Sequence, residues 1–103
     1  MTDPEIYVMP PMHPGEMLRE EYLGPLGVDA VGLAKASGVP RARIDRILRG
    51  EAGIGTETAL RLGKVLGTGA EFWLVLQARY DIQHMQAQIG PALAALAPLV
   101  QAH

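Results

Sequence analysis

Apolar positions along this chain follow a helical rhythm, in short blocks set apart by glycine and proline. Ile44, Ile47 and Leu48 recur at i, i+3 and i+4, the stripe of a helix with one buried face. Phe72 to Leu76 is apolar on every side, and Leu93, Leu96, Leu99 and Val100 return at helical spacing. No useful strand-like alternation follows residue 12, and no apolar run approaches the ~20 residues of a membrane span. Gly and Pro place the boundaries. Residues 1–12 hold three prolines and read as an irregular or strand-like arm. His13-Pro14-Gly15-Glu16 opens a first helix, with Pro14 suited to the first helical position and Glu16 to the dipole. That helix runs to about Leu23 and is ended by Gly24-Pro25-Leu26-Gly27. A second runs from the N-cap Asp29 to Gly38, and a third from Pro40 to Gly50. Thr56 caps a fourth over 57–66, closed by Gly67. Glu71 starts a long fifth, carried to about Gln88 and broken by Gly90-Pro91, and the tail to His103 predicts a short sixth. The fold class is all-α, with a main domain over 13–88 and a helical tail over 89–103.

A length of 103 residues predicts one domain with a modest core, for which dimerisation is a natural supplement. There is no cysteine, so disulfide scaffolds and thiolate metal sites are excluded. Asp3 and Glu5 stand where a signal peptide would be basic, and the expectation is a soluble, cytoplasmic protein with no membrane partner. The net charge of −2 argues against nucleic acid until its distribution is considered. Between Asp29 and Gly50 stand Lys35, Arg41, Arg43, Arg46 and Arg49 against only Asp29 and Asp45. One basic segment lies on an otherwise acidic chain.

That segment is built as two helices joined by a turn of three or four residues, which forces a steep crossing. Ala34 is small enough for the crossing, Gly38 takes the turn and Val39 plugs it from the core side. With Ile44, Ile47 and Leu48 behind, Ala42, Asp45, Arg46 and Arg49 point outward, and Arg41 and Arg43 flank the N-terminal tip. Such a helix fits a DNA major groove, where arginine donates two hydrogen bonds to guanine O6 and N7. A basic helical face is commonly only solvated, but here the cap, the small-residue turn and the closing glycine share helix-turn-helix spacing. The expected DNA contacts are Arg41, Ala42, Arg43, Asp45, Arg46 and Arg49, with Arg41, Ala42 and Arg46 at base edges and Arg43 and Arg49 at phosphates. The all-round apolar fifth helix marks an interface, so Phe72, Trp73, Leu76 and Tyr80 are the expected dimer contacts. Glu16, Glu20 and Glu21 form an acidic patch that is either a solvated face or a surface for a basic partner. His13, His84 and His103 are scattered, and His13 before Pro14 reads as a helix cap. No nucleophile–base pair, phosphate loop or metal spacing is present, so no enzyme, cofactor or metal is expected.

Beyond the helix-turn-helix, the chain carries His13-Pro14-Gly15-Glu16-Met17-Leu18-Arg19-Glu20-Glu21-Tyr22-Leu23, Ala59-Leu60-Arg61-Leu62, Leu66-Gly67-Thr68, Glu71-Phe72-Trp73-Leu74, Leu76-Gln77 and Tyr80-Asp81. In these it resembles the HigA-type antitoxins, a group that includes virulence-associated and plasmid-maintenance antidote proteins within the lambda-repressor-like superfamily. The resemblance covers residues 13–82. It implies a five-helix lambda-repressor-like DNA-binding domain that dimerises through its last helices and represses its own operon at a palindromic operator. It also implies a toxin partner, a HigB-type mRNA endonuclease, for which Glu16, Glu20 and Glu21 are the candidate contacts. Four positions depart from the pattern: Pro40 replaces the usual Ser or Thr, Ala30 replaces a phosphate-touching residue, Glu51 replaces a basic one, and Gly69-Ala70 replaces Ser-Pro. Two other readings remain: a solitary helix-turn-helix regulator with no toxin, and an interaction module that no longer binds DNA.

Overall fold

The computed structural model describes residues 12–100, so the expected N-terminal arm over 1–12 lies almost wholly outside the described residues. Among them five helices and no strand are found. Pro14–Met17, the π-helical Leu18–Leu23 and Gly24–Leu26 follow without a break as α1; then come α2 (Ala30–Ser37), α3 (Arg41–Leu48), α4 (Thr56–Leu66) and α5 (Ala70–Ala94). His13 caps α1: its Nδ1 accepts a hydrogen bond from the Gly15 N–H at 2.9 Å. The helix does not stop at Leu23 as Gly24-Pro25 predicts. A proline ring inside an α-helix collides with the carbonyl four residues earlier, here Glu21. The wider π turn, closed by Gly24 N–H to the Arg19 carbonyl, makes room, and α1 continues to a left-handed Gly27.

Asp29 caps α2 through the Gly32 N–H at 2.8 Å, and Gly38 ends it at φ 75°, both as the sequence predicts. Pro40 holds the N-cap position of α3 and makes no side-chain cap hydrogen bond. Thr56 is the first residue of α4, with Gly55 in the cap position and no side-chain cap, where the sequence had assigned the cap to Thr56. The break expected at Gly90-Pro91 is present: Ile89 leaves helical geometry (φ −111°, ψ 17°), so Ala70–Ala94 is two helices joined across a kink, the second a single turn that ends at Ala94. Pro91 can begin a turn because its missing N–H is an orphan there. That short sixth helix does not extend along the tail. Pro98 cannot donate to Ala94 and disfavours helix at Ala97, and Leu96, Leu99 and Val100 are exposed.

All five helices send side chains into one core of Leu18, Leu23, Leu33, Val39, Ile44, Ile47, Ile54, Ala59, Leu62 and Trp73. Trp73 is 0% exposed, with Phe72 edge-on to its ring at 4.9 Å and Tyr22 at 5.4 Å. This corrects the expectation for Trp73: a side chain wholly enclosed by its own chain has no surface left for a dimer partner. Phe72, Leu76 and Tyr80 are half-buried against the same core or its edge. Beyond Tyr80, α5 runs clear of the core, and residues 81–89 are exposed on all sides.

Two glycines set how closely the helices approach. A Cβ on Gly15 would strike the Ile47 carbonyl oxygen and lie 2.7 Å from its carbon, so the start of α1 rests on the backbone of α3. A Cβ on Gly63 would lie 2.6 Å from the Gly69 oxygen and 2.7 Å from the Ala70 nitrogen, where α4 meets the start of α5. Backbone cannot step aside as a flexible side chain can. Gly15→Ala is therefore expected to destabilise by about 1–3 kcal/mol or more, against a helix-propensity gain of less than ~1 kcal/mol. Urea unfolding checks this; an unchanged midpoint would show that α1 can lift off α3.

Candidate nucleic-acid interface

The α2–turn–α3 unit is held from three directions. The Ser37 hydroxyl donates to the Leu33 carbonyl at 2.7 Å and accepts from the Val39 N–H at 3.2 Å, tying the turn to α2. Val39 is buried beneath it. From α4, Arg61 donates to the Ser37 carbonyl at 3.1 Å while its Nε binds Glu57 at 3.0 Å. Arg19 of α1 donates to the Leu48 carbonyl at 3.1 Å, supplying a cation and a donor to the C-terminal end of α3. The following loop is pinned by Gln77 of α5, whose Oε1 accepts from the Ile54 N–H at 2.8 Å and whose Nε2 donates to Asp81 at 3.0 Å. Arg19, Arg61 and Gln77 position the unit, and single-helix periodicity does not reveal them. Their only sequence signal is membership of the patterned segments that carry the resemblance.

On α3, Ile44 and Ile47 are fully buried and Leu48 half-buried, while Arg41, Ala42, Arg43, Arg46 and Arg49 are exposed. Asp45, grouped with them in the sequence, is half-buried and faces Arg41 across 3.5 Å. Arg49 is likewise engaged, by Glu51 at 3.2 Å. That contact holds the Glu51 carboxyl below the usual carboxylate range and raises Arg49 above its ordinary value. Among the described residues neither Arg43 nor Arg46 takes part in an ion pair. The helix thus presents two uncommitted guanidinium groups beside Ala42, and two committed ones.

The remaining sequence-selected residues fall elsewhere. Besides capping α1, His13 places its ring edge-on to Tyr80 at 4.8 Å, and Tyr80 stacks on His84 at 4.9 Å. Burial pushes the His13 imidazole below its ordinary pKa, against the opposing pull of Asp81 and Glu16, which favours the neutral ring its acceptor role needs. Glu16, Glu20 and Glu21 are all exposed on α1, and Glu20 binds Arg19 at 3.1 Å. No group of three His, Asp or Glu that could hold a metal occurs among the described residues, and no helix there is long and apolar enough to cross a membrane.

A second surface, which the sequence reading missed, lies on α5. Val75, Ala78, Ile82, Met85 and Ile89 are all exposed. Their spacing alternates three and four residues, the seam of a helix that packs against another helix. Ile82 stands about 180° around the helix from the buried Trp73, at ~100° per residue. The alternation is visible in the sequence once Trp73 is known to point inward.

The chain is similar to known proteins over this same region. A helix-turn-helix family model matches residues 18–73. Virulence-associated protein I of Dichelobacter nodosus is 51% identical over 75 residues, covering 73% of this chain and 69% of that protein. Antitoxin HigA-1 of Vibrio cholerae is 36% identical over 72 residues, covering 70% and 68%. The structure of the Pseudomonas aeruginosa antitoxin HigA with the higBA promoter superposes with a TM-score of 0.82 at 35% identity, covering 87% of this chain and 99% of that one. Five helices, the clamped turn and these relatives lead to one assignment: the chain belongs to the HigA-type antitoxins of the lambda-repressor-like helix-turn-helix superfamily.

Proposed function

We propose that this protein is an antitoxin that binds a palindromic operator as a homodimer, represses its own operon, and neutralises a small mRNA-cleaving toxin. The observation that carries the DNA-binding part is the outer face of α3. Arg43 and Arg46 stand exposed beside Ala42 and, among the described residues, free of ion pairs, on a helix locked from behind by Ile44 and Ile47. A dimer would set two such helices about one DNA turn, ~34 Å, apart. Arg46 reads a guanine, Ala42 packs on a thymine methyl, and Arg43 holds phosphate. Arg41 reaches a base only by leaving Asp45. The dimer seam is the Val75–Ile89 stripe, with Phe72, Leu76 and Tyr80 at its margin. The toxin partner is supported by the names of the relatives, which include antitoxins, with exposed Glu16, Glu20 and Glu21 as a surface for a basic protein; co-purification with the product of an adjacent gene tests it.

Arg46→Ala is expected to weaken binding to a duplex of the gene's upstream region by about 1–3 kcal/mol, with preference relaxed at one base pair per half-site. Fluorescence titration against that duplex and a scrambled one decides the matter. Equal loss on both duplexes, or none, would remove base reading from this face.

A further inference from the structure

Arg49 and Glu51 meet in a two-point contact. Nε lies 3.2 Å from Oε2, and Nη2 donates to Oε1 at 3.2 Å. The backbone brings them together. Gly50 turns at φ 74°, and the Glu51 and Ala52 N–H groups both return to the Arg46 carbonyl, at 2.8 and 3.3 Å. Glu51 is thereby fixed at the end of α3, beside Arg49 on the outer face that also carries Ala42 and Arg46. A carboxylate binding guanidinium with two parallel contacts occupies the donors that a phosphate would take.

We propose that Glu51 is a built-in competitor for DNA phosphate, an intramolecular stand-in that holds Arg49 until the duplex displaces it. The inference rests on the reading that the outer face of α3 meets DNA. In the free protein the Arg49 charge is already matched, so its transfer to phosphate releases less counterion than a free arginine would. Glu51 thus lowers affinity for all sequences alike, because phosphate carries no base identity. Base reading by Arg46 is untouched, so the competitor raises the share of binding that depends on sequence.

Glu51→Gln keeps the size of the side chain and removes its charge. Each freed phosphate contact adds about 0.9 to the salt slope, so the two copies in a dimer add about 1.8. Binding to a scrambled duplex should then tighten about a hundredfold at ~50 mM salt and about eightfold at ~200 mM, the difference following from that slope. Arg49→Ala should cost little in the wild-type background and most of that gain in Glu51→Gln. Both positions are exposed, so all variants should melt as the wild type does. The measurement is a titration of the four proteins, wild type, both single variants and the double, against scrambled and upstream duplexes at both salt concentrations. An unchanged slope in Glu51→Gln overturns the proposal, as does an equal gain with Arg49 absent, which would mean plain repulsion. A wild-type protein that binds neither duplex overturns the DNA-binding reading itself, a distinguishable result.

Discussion

Ile82→Glu should leave the chain folded, turn it from dimer to monomer, and lower its affinity for a two-half-site operator by a factor of about 10²–10⁴, the usual worth of linking two binding events. Each part has its own physical ground. Ile82 is 56% exposed, so the core of the single chain loses nothing when it changes. In the proposed dimer the same side chain lies within the helix–helix seam, where an unpaired carboxylate is deprived of water and costs several kcal/mol. Once the seam opens, each recognition helix binds its half-site alone. Light scattering at micromolar concentration and titration of the upstream duplex read the two effects together. A variant that remains dimeric would move the seam off the Val75–Ile89 stripe, and a wild-type monomer would dispose of the dimer altogether.

Trp73→Ala should destabilise the fold by about 3–5 kcal/mol, the range for deleting a large buried aromatic side chain. Against a total of about 5–15 kcal/mol for a domain, that removes much of the margin. Trp73 is fully buried, and its ring meets both Phe72 and Tyr22, joining α5 to α1 across the core. Its indole Nε1 is buried and has no hydrogen-bond partner among the described residues. Trp73→Phe should therefore cost much less than Trp73→Ala, because the lost ring area is partly offset by removal of an unsatisfied donor. Urea midpoints compared at one protein concentration, since the proposed dimer would add to apparent stability, test the pair. If Trp73→Ala stays as stable as the wild type but becomes monomeric, the residue belongs to the interface after all.

The two mutations concern one helix, and they divide what was legible in the sequence from what was not. Features decided within a few residues were legible. Asp29 beside the Gly32 N–H, His13 beside the Gly15 N–H, and Gly38 in a left-handed turn each answer a local demand, an orphan donor or a φ that a side chain resists. The stripe of Ile44 and Ile47 was equally readable, because the other side of α3 is polar and leaves one orientation. The helix-turn-helix and its exposed arginines follow from these local rules. On α5 they fail. A helix apolar all round from Phe72 to Leu76 carries no preference for which face turns inward, and only the placement of α1 and α4 sends Trp73 to the core and Val75 and Ile82 to solvent. The π turn that carries α1 past Pro25 is a local answer to that proline, but Gly24-Pro25 reads equally well as a helix stop. Packing also decides the bonds from Arg61 to Ser37, Arg19 to Leu48 and Gln77 to Ile54, whose partners stand more than twenty residues apart in sequence. Local chemistry determined that this chain has a recognition helix. Long-range packing decided what holds it, how its arginines are paired among the described residues, and which face of α5 is left exposed.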